Sequence, residues 1–385
     1  DNQVKLRGYR VELDEIRSAI ETHDWVKAAA VIVRNDPFTG YQNLISFIEL
    51  NAREAALMDQ GNHGSHHQSK ADKAQVMMQL ANKGCREFPS ASRPYTLDLP
   101  GKQPDEKQRL TAFARKTYRF YDGGAVSRND ILSLLHEPLL TAISRQPDAL
   151  TLDELGHWLR YLGQFASAER LLPKYTYASP GALYATQVFL ELNDVAGLAA
   201  GHYYYQPVHH QLIRVSEQVS VTPGSLRLHF VGKKSAIEPI YKNNIREVLQ
   251  MEMGHIIGML DNILPDYGLG VTLCDAAALD PAPLAMNPDD DYLGACDVLC
   301  GPRLPADDDL DIYVQTAGAN IADLPVGTYR YVHGDLQHIA DDVIDKKHVI
   351  AINQAVYERS SFGISIASRT EGWAGYVHVG RKLQR

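Results

Sequence analysis

The sequence predicts an α+β fold in two units, and three observations carry that expectation. Short alternating apolar runs and one amphipathic helical run share the first fifty positions. A proline-rich stretch at 89–105 then interrupts any regular pattern. Beyond it lie longer helical patterns, separate strands and an internal repeat. A chain of 385 residues, 45% hydrophobic and 22% charged, has the length for two or three domains and the apolar material for sizeable cores.

The first elements follow in order. Val4 and Leu6, then Val11 and Leu13 across Gly8, read as short strands around a turn. Leu13, Ile16, Ala19 and Ile20 fall at helical spacing within 12–22. The β-branched run Val26 to Val33 stops at Asn35-Asp36-Pro37, and Tyr41 to Leu50 follows Gly40, so this pair reads as a hairpin. Residues 58–70 are polar and aperiodic and read as a loop, and 71–83 as a helix. Pro89, Pro94, Pro100, Gly101 and Pro104 mark the boundary, which separates residues 1–110 from 111–385.

In the second unit, Ser127 caps a helix carrying Ile131, Leu132, Leu134, Leu135 and Leu139. Leu152, Leu155, Leu159 and Leu162 make a second helix, and Ala185 to Leu192 a strand. Residues 243–263 form a long amphipathic helix with Ile245, Val248, Leu249, Ile256, Leu260 and Ile263 inside, stopped at Gly268. Gly201, Tyr203, Tyr205, Gln211 and Ile213 recur as Gly327, Tyr329, Tyr331, Gln337 and Ile339, and Gly254 recurs at the same offset as Gly380. The halves are 111–279 and 306–385, joined by a linker at 280–305 rich in Pro and Asp. The second half reaches Gly380 in what the repeat makes mid-helix, so the chain is expected to be cut from something longer at both ends.

Lys and Arg number 38 against 47 Asp and Glu, a net charge of −9, which argues against a broad grip on nucleic acid or anionic membrane. No apolar run approaches the ~18 residues of a membrane span, and the opening residues lack the apolar core of a signal peptide. Four scattered cysteines, Cys85, Cys274, Cys296 and Cys300, make no disulfide framework and suit a reducing cytoplasm. Cys296 and Cys300, in the linker, read as bystanders. His63, His66 and His67 sit without cysteine or carboxylate neighbours, so no metal site is expected. Neither a Gly-x-Gly-x-x-Gly after a strand nor a Gly-Lys-Ser/Thr phosphate loop occurs.

Asp1-Asn-Gln-Val-Lys-Leu-Arg-Gly-Tyr-Arg-Val-Glu-Leu-Asp-Glu-Ile resembles the eighth core motif of adenylation domains in nonribosomal peptide synthetases. The resemblance implies that Asp1 is the hinge between large and small lobes. Gly8 would then lie in the loop that faces the active site during thioester formation, where a glycine permits close backbone approach. The large lobe and the later catalytic lysine have no match in the sequence, so the segment is not expected to adenylate anything alone.

Lys174-Tyr-Thr-Tyr-Ala-Ser-Pro-Gly-Ala-Leu-Tyr-Ala-Thr-Gln resembles the Ser-x-Gly-Ala-Leu-Tyr stretch of flavin-dependent, nitroreductase-like oxidases. By that resemblance Lys174, Ser179, Gly181, Ala182 and Tyr184 line FMN. Tyr241-Lys242, ahead of the long helix with Gly254-His255, is similar to the Lys/Tyr proton-transfer pair of azoline oxidases, in reversed order. Tyr241 and Lys242 are therefore the candidate base or proton carrier, with His255 of second rank. Arg381 is a candidate for a flavin phosphate, because its guanidinium presents a bidentate fork; a basic helix face is the alternative.

The whole set, from Phe113-Ala-Arg-Lys-Thr-Tyr to the closing Tyr376-Val-His-Val-Gly-Arg, is most similar to the indigoidine-synthetase family, in which an oxidase is inserted into the small lobe of an adenylation domain. The resemblance implies a partial small lobe followed by an FMN oxidase of tandem nitroreductase-like halves, with its active site in the cleft between them. It further implies oxidation of a glutaminyl thioester on the phosphopantetheine of a carrier protein, with oxygen as acceptor. The adenylation large lobe, carrier and thioesterase domains would be partners. An azoline oxidase making thiazole or oxazole rings and a flavin-free scaffold are the alternatives, and the sequence leaves a homodimer open.

Overall fold

A computed structural model of the chain describes residues 3–6, 9–23, 26–35, 42–50, 70–88, 95–114, 124–136, 144–167, 170–301, 309–316, 321–349 and 353–385. Asp1, Gly8, the loop with His63, His66 and His67, Pro89, Pro94, Leu139, Pro302 and Pro305 lie outside them. Helices and strands mix throughout, so the α+β class holds. The chain divides into two compact units, residues 1–81 with 166–173, and 82–165 with 174–385. Among the described residues no helix is long and apolar enough to cross a membrane.

In the first unit Gln3–Leu6 (β1) pairs antiparallel with Tyr9–Glu12 (β2), and Leu13–Glu21 (α1) follows directly. Val26–Asn35 (β3) and Gln42–Leu50 (β4) form the expected hairpin, with α1 against β3. Lys70–Ala81 (α2) packs Val76 and Leu80 on Leu172. Among the described residues α1 buries no side chain fully, and Phe47 and Ile48 are 59% and 48% exposed.

The second unit runs through Thr96–Asp98 (β5), Glu106–Ala114 (α3), Val126–Ser127 (β6), Arg128–Leu135 (α4) and Leu152–Leu159 (α5). Phe165–Ser167 (β7) and Arg170–Lys174 (β8) form a two-stranded ribbon, most of which belongs to the first unit. Thr186–Asn193 (β9), Gly201–Gln206 (β10), Gln211–Ser216 (β11), Ser225–Lys233 (β12), Lys234–Ile237 (α6), Ile245–Ile263 (α7), Leu269–Leu273 (β13) and Asp290–Cys300 (β14) come next. The remainder is Leu310–Thr316 (β15), Ile321–Ala322 (β16), Gly327–Val332 (β17), Asp335–Ala340 (β18), Gln354–Arg359 (α8), Gly363–Ser368 (β19) and Trp373–Gln384 (α9).

Two antiparallel sheets result, ordered β13-β14-β12-β9-β10-β11-β5 and β18-β17-β15-β19. Four strands of the first, β12-β9-β10-β11, have the same order as β19-β15-β17-β18 of the second, and a long helix follows the corresponding strand in each. The likeness reaches single bonds. Tyr203 and Tyr329 each donate a phenol hydrogen to the carbonyl four residues earlier, Ala199 at 2.6 Å and Pro325 at 2.8 Å. A register shift falls just before both tyrosines, at His202/Tyr203 and Thr328/Tyr329.

The turns then differ. Residues 207–210 separate the first pair of strands, whereas His333 and Gly334, both at positive φ, close the second as a two-residue hairpin. Tyr203 therefore pairs with Arg214 but Tyr329 with His338, and the identity of Ile213 with Ile339 does not mark structurally equivalent partners. Ile213 is buried; Ile339 is 52% exposed.

Three readings from proline and charge are corrected. The stretch 89–105 contains β5, which pairs with β11 at the edge of the large sheet, where a three-residue strand between prolines is tolerated. The expected linker 280–305 contains β14, eleven residues paired on both sides by β12 and β13, with Cys296 fully buried in it. Its acidic residues hid the strand: Asp297 is neutralised by Arg227 at 2.6 Å. The halves also interlock, because α4 lies in the expected first half yet packs Ile131 and Leu135 into the core of the second sheet with Ile312, Val314 and Tyr329. β6 likewise pairs with β16.

Local capping is as the residues predict. Ser127 caps α4 with Asp130 in a reciprocal capping box, Thr151 caps α5 with Glu154, and Gly268 ends the α7 region at φ 73.

Candidate active site

The segment between β8 and β9 is strained. Gly181, Ala182 and Tyr184 have φ of 64, 52 and 50, so three residues in four take left-handed backbone, two of them with a Cβ. Such strain persists only where surrounding bonds over-determine it. Here Ser179 Oγ accepts from Tyr184 N at 2.8 Å, and Ala182 N donates to Ser179 O at 3.0 Å. Behind the segment, a Cβ on Gly84 would fall 1.9 Å from Tyr184 O, so only glycine lets these backbones approach.

Helices α7 and α9 supply the remaining anchors. His255 Nδ1 donates to Ala178 O at 2.9 Å, and Ala178 N donates to Gln384 Oε1 at 2.8 Å. Glu252, fully buried, accepts from Thr186 N at 3.0 Å and Thr186 Oγ1 at 2.7 Å. Burial pushes its carboxyl pKa up, against hydrogen bonds from Ser179 and Thr186 that pull it down. Glu252 and Gln384 escaped the sequence reading. A glutamate between two methionines in an apolar helix was the available signal.

The predicted residues occupy distinct places. Ser179, Gly181 and Ala182 are half-buried on the strained turn. Tyr241 reaches them: its Cε2 lies 3.5 Å from where a Cβ on Gly181 would sit. Lys242, next in the chain, is exposed, and Lys174 closes β8 half-buried. Tyr184 turns inward, stacked on Tyr175 at 3.9 Å between ring centres and edge-on to Tyr177 at 5.7 Å. Arg381 is 5% exposed, its fork bidentate on Asp261 with both contacts at 2.6 Å. A phosphate would have to displace Asp261.

A cavity of about 20 Å³ lies on the inner side, lined by Gly84, Cys85, Tyr175, Tyr177, Tyr184 and Gln187 among others. Buried Gln187 finds no protein partner for either amide atom. That volume suits a single water, far below the several hundred Å³ of a cofactor pocket. On the turn itself Gly181 bears no side chain, and Tyr241 stands beside it.

No family model matches the chain. Comparison with known proteins finds 94% identity over all 385 residues with an indigoidine synthase from Dickeya dadantii, of which the chain covers 26%. An indigoidine synthase from Streptomyces lavendulae is 54% identical over 390 aligned residues, with all of this chain and 30% of that protein covered. A shorter stretch of 57 residues is 49% identical to a delta-poly-L-ornithine synthetase of Acinetobacter baumannii, covering 14% of this chain and 4% of that one. Among solved structures, a putative nitroreductase from Anabaena variabilis aligns with a TM-score of 0.47 at 11% identity, over 80% of this chain and 90% of its own. Along its whole length, then, the chain is similar to a segment of the indigoidine synthases and spans about a quarter to a third of them.

Proposed function

We propose that the chain performs the oxidation step of a pigment-forming peptide synthetase, removing two hydrogens from a glutaminyl group held as a thioester on a carrier protein. The observation that carries this reading is the similarity, along the whole of this chain, to segments of two indigoidine synthases. The proposed cofactor is FMN, which when bound would supply the acceptor for the hydride leaving the substrate Cβ and a route for the electrons to oxygen as hydrogen peroxide.

The chain's own residues would hold the ring and move a proton. The Ser179–Ala182 turn offers backbone without bulk, and Glu252, His255 and Gln384 keep it in that conformation. The thioester carbonyl acidifies the substrate Cα–H, so a nearby base removes that proton as the hydride leaves. Tyr241, beside Gly181, is the residue proposed to carry it, and exposed Lys242 is proposed to exchange it with solvent. The adenylation large lobe, carrier and thioesterase domains are the proposed partners.

The visible spectrum of the purified chain, with chromatography of any cofactor released by heat, is the first test. Bound FMN supports the reading, and a colourless, folded preparation of the full-length protein removes it. Lys242→Ala and Tyr241→Phe should retain flavin but slow its reduction by the loaded carrier roughly 10²–10⁴-fold. Unchanged reduction would take that residue out of the mechanism.

A further inference from the structure

Glu191 on β9, His202 on β10 and His229 on β12 meet on the face of the large sheet that also carries Phe189, Tyr204 and Val231. They come from neighbouring strands: His202 pairs with Glu191, and Arg227 opposes Glu191 two residues before His229. All three are at most 3% exposed, and one ligand atom of each lies within 4.8 Å of the others. Their separations of 11 and 27 residues follow no metal-binding spacing, so the sequence does not betray them.

The hydrogen bonds orient this cluster. Glu191 Oε1 accepts from Ser220 N, from Ser220 Oγ at 2.8 Å and from Val221 N at 3.1 Å, which turns Oε2 towards the imidazoles. His202 Nδ1 lies 2.7 Å from Gln218 O, a carbonyl that only accepts, so Nδ1 carries the hydrogen. Neutral His202 then presents the Nε2 lone pair to Glu191 Oε2, 3.7 Å away and also an acceptor. A positive centre between these two atoms would satisfy both lone pairs. His229 Nε2 stands 3.1 Å from the same oxygen, its Nδ1 3.0 Å from Tyr292 Oη.

Charge points the same way. Arg227 is held on Asp297 at 2.6 and 3.3 Å, and its remaining nitrogen is 3.7 Å from Glu191 Oε2. Two carboxylates thus stand against one guanidinium around the cluster. Two imidazole nitrogens and one carboxylate oxygen are a donor set that zinc accepts, with the second hydrogen bond of each imidazole fixing its ring.

We propose that Glu191, His202 and His229 bind one divalent transition ion, zinc by donor type, which pins the three central strands of the large sheet. The three residues are buried away from substrate, so the ion's proposed role is to hold the strands, with a water completing its four-coordinate shell.

Elemental analysis of the purified full chain tests this directly, after gel filtration without chelator and again after incubation with zinc chloride. About one zinc per chain is expected. Cobalt substitution should add the visible bands of a tetrahedral ion, lost in His202→Ala and His229→Ala. Folded wild-type protein that holds no zinc or cobalt after this loading overturns the proposal. So does nitrogen NMR that finds His202 or His229 as an imidazolium in that protein, since a proton would then be the positive centre. The wild-type measurements stand even where a histidine variant fails to fold.

Discussion

Gly254 and Gly380 face one another where the two related helices cross: a Cβ on Gly254 would lie 3.0 Å from Gly380 Cα and 2.3 Å from Val377 O. A Cβ on Gly380 would lie 2.2 Å from Met251 O. The glycines that recur between the halves thus meet each other. Gly258, one turn along α7, would bring a Cβ within 2.3 Å of Arg381 O. α7 and α9 approach closely enough that backbone, rather than side chain, forms the contact.

Because the obstructing atoms are backbone, neither helix can yield without moving as a whole. Gly254→Ala and Gly380→Ala should each cost about 1–3 kcal/mol, towards the upper end. Urea unfolding followed by far-UV circular dichroism would measure this. Midpoints equal to wild type for both variants would mean the helices are not this close.

The ion pair of Arg381 with Asp261 is buried on both sides, with side-chain exposures of 6% and 0%. Removing one partner strands a charge, so Arg381→Ala should destabilise the unit by about 3–5 kcal/mol. Replacing the pair together, as Arg381→Met with Asp261→Leu, should recover much of that loss. A phosphate-binding Arg381 would behave differently, losing flavin at unchanged stability, and flavin content read beside the unfolding curve separates the two.

Glu252 should make the protein less stable as pH rises. Its folded pKa is raised by burial, so the stability of the neutral form is fully present below the unfolded value of about 4.3 and is lost as pH climbs towards the folded value. Glu252→Gln keeps the shape and an acceptor for Thr186 while removing the charge. Its denaturation midpoint should hold steady above about pH 4.3 where the wild type declines. Parallel profiles for the two proteins would sink the assignment.

Glu154 predicts the opposite slope. Hydrogen bonds from Arg145, then from the Thr151 backbone, hold its pKa down at about 2. Its contribution is present above the unfolded pKa of about 4.3 and disappears as pH falls through the folded value. The side chain is 33% exposed, so solvent screening keeps the effect small, under about 1 kcal/mol. Thermal melts of Glu154→Gln should lie below wild type at neutral pH and converge with it near pH 2. A gap that persists there would point to lost packing.

Local chemistry was the legible part of the fold. Ser127 with Asp130, Thr151 with Glu154, and Gly268 after α7 are signals that act within one turn of backbone, and each sits where the residues place it. The hairpin Val26–Asn35 with Gln42–Leu50 was legible for the same reason. β14 was not, because Asp290, Asp291 and Asp297 read as solvated charge until Arg227 and Lys234 are brought across from other elements. At the candidate site the segment around Gly181 was singled out by its resemblance, but its supports Glu252, His255 and Gln384 lie 71, 74 and 203 residues further on from Gly181.

The sequence by itself determined the α+β class, the helix caps and the repeated tyrosines, since each depends on residues close in the chain. Only the tertiary structure decided that α4 serves the second sheet, that Arg381 is taken by Asp261, and that Glu191, His202 and His229 converge. Those outcomes depend on which distant strand or helix a side chain meets, and burial, charge pairing and lone-pair direction acquire values only once the chain has folded.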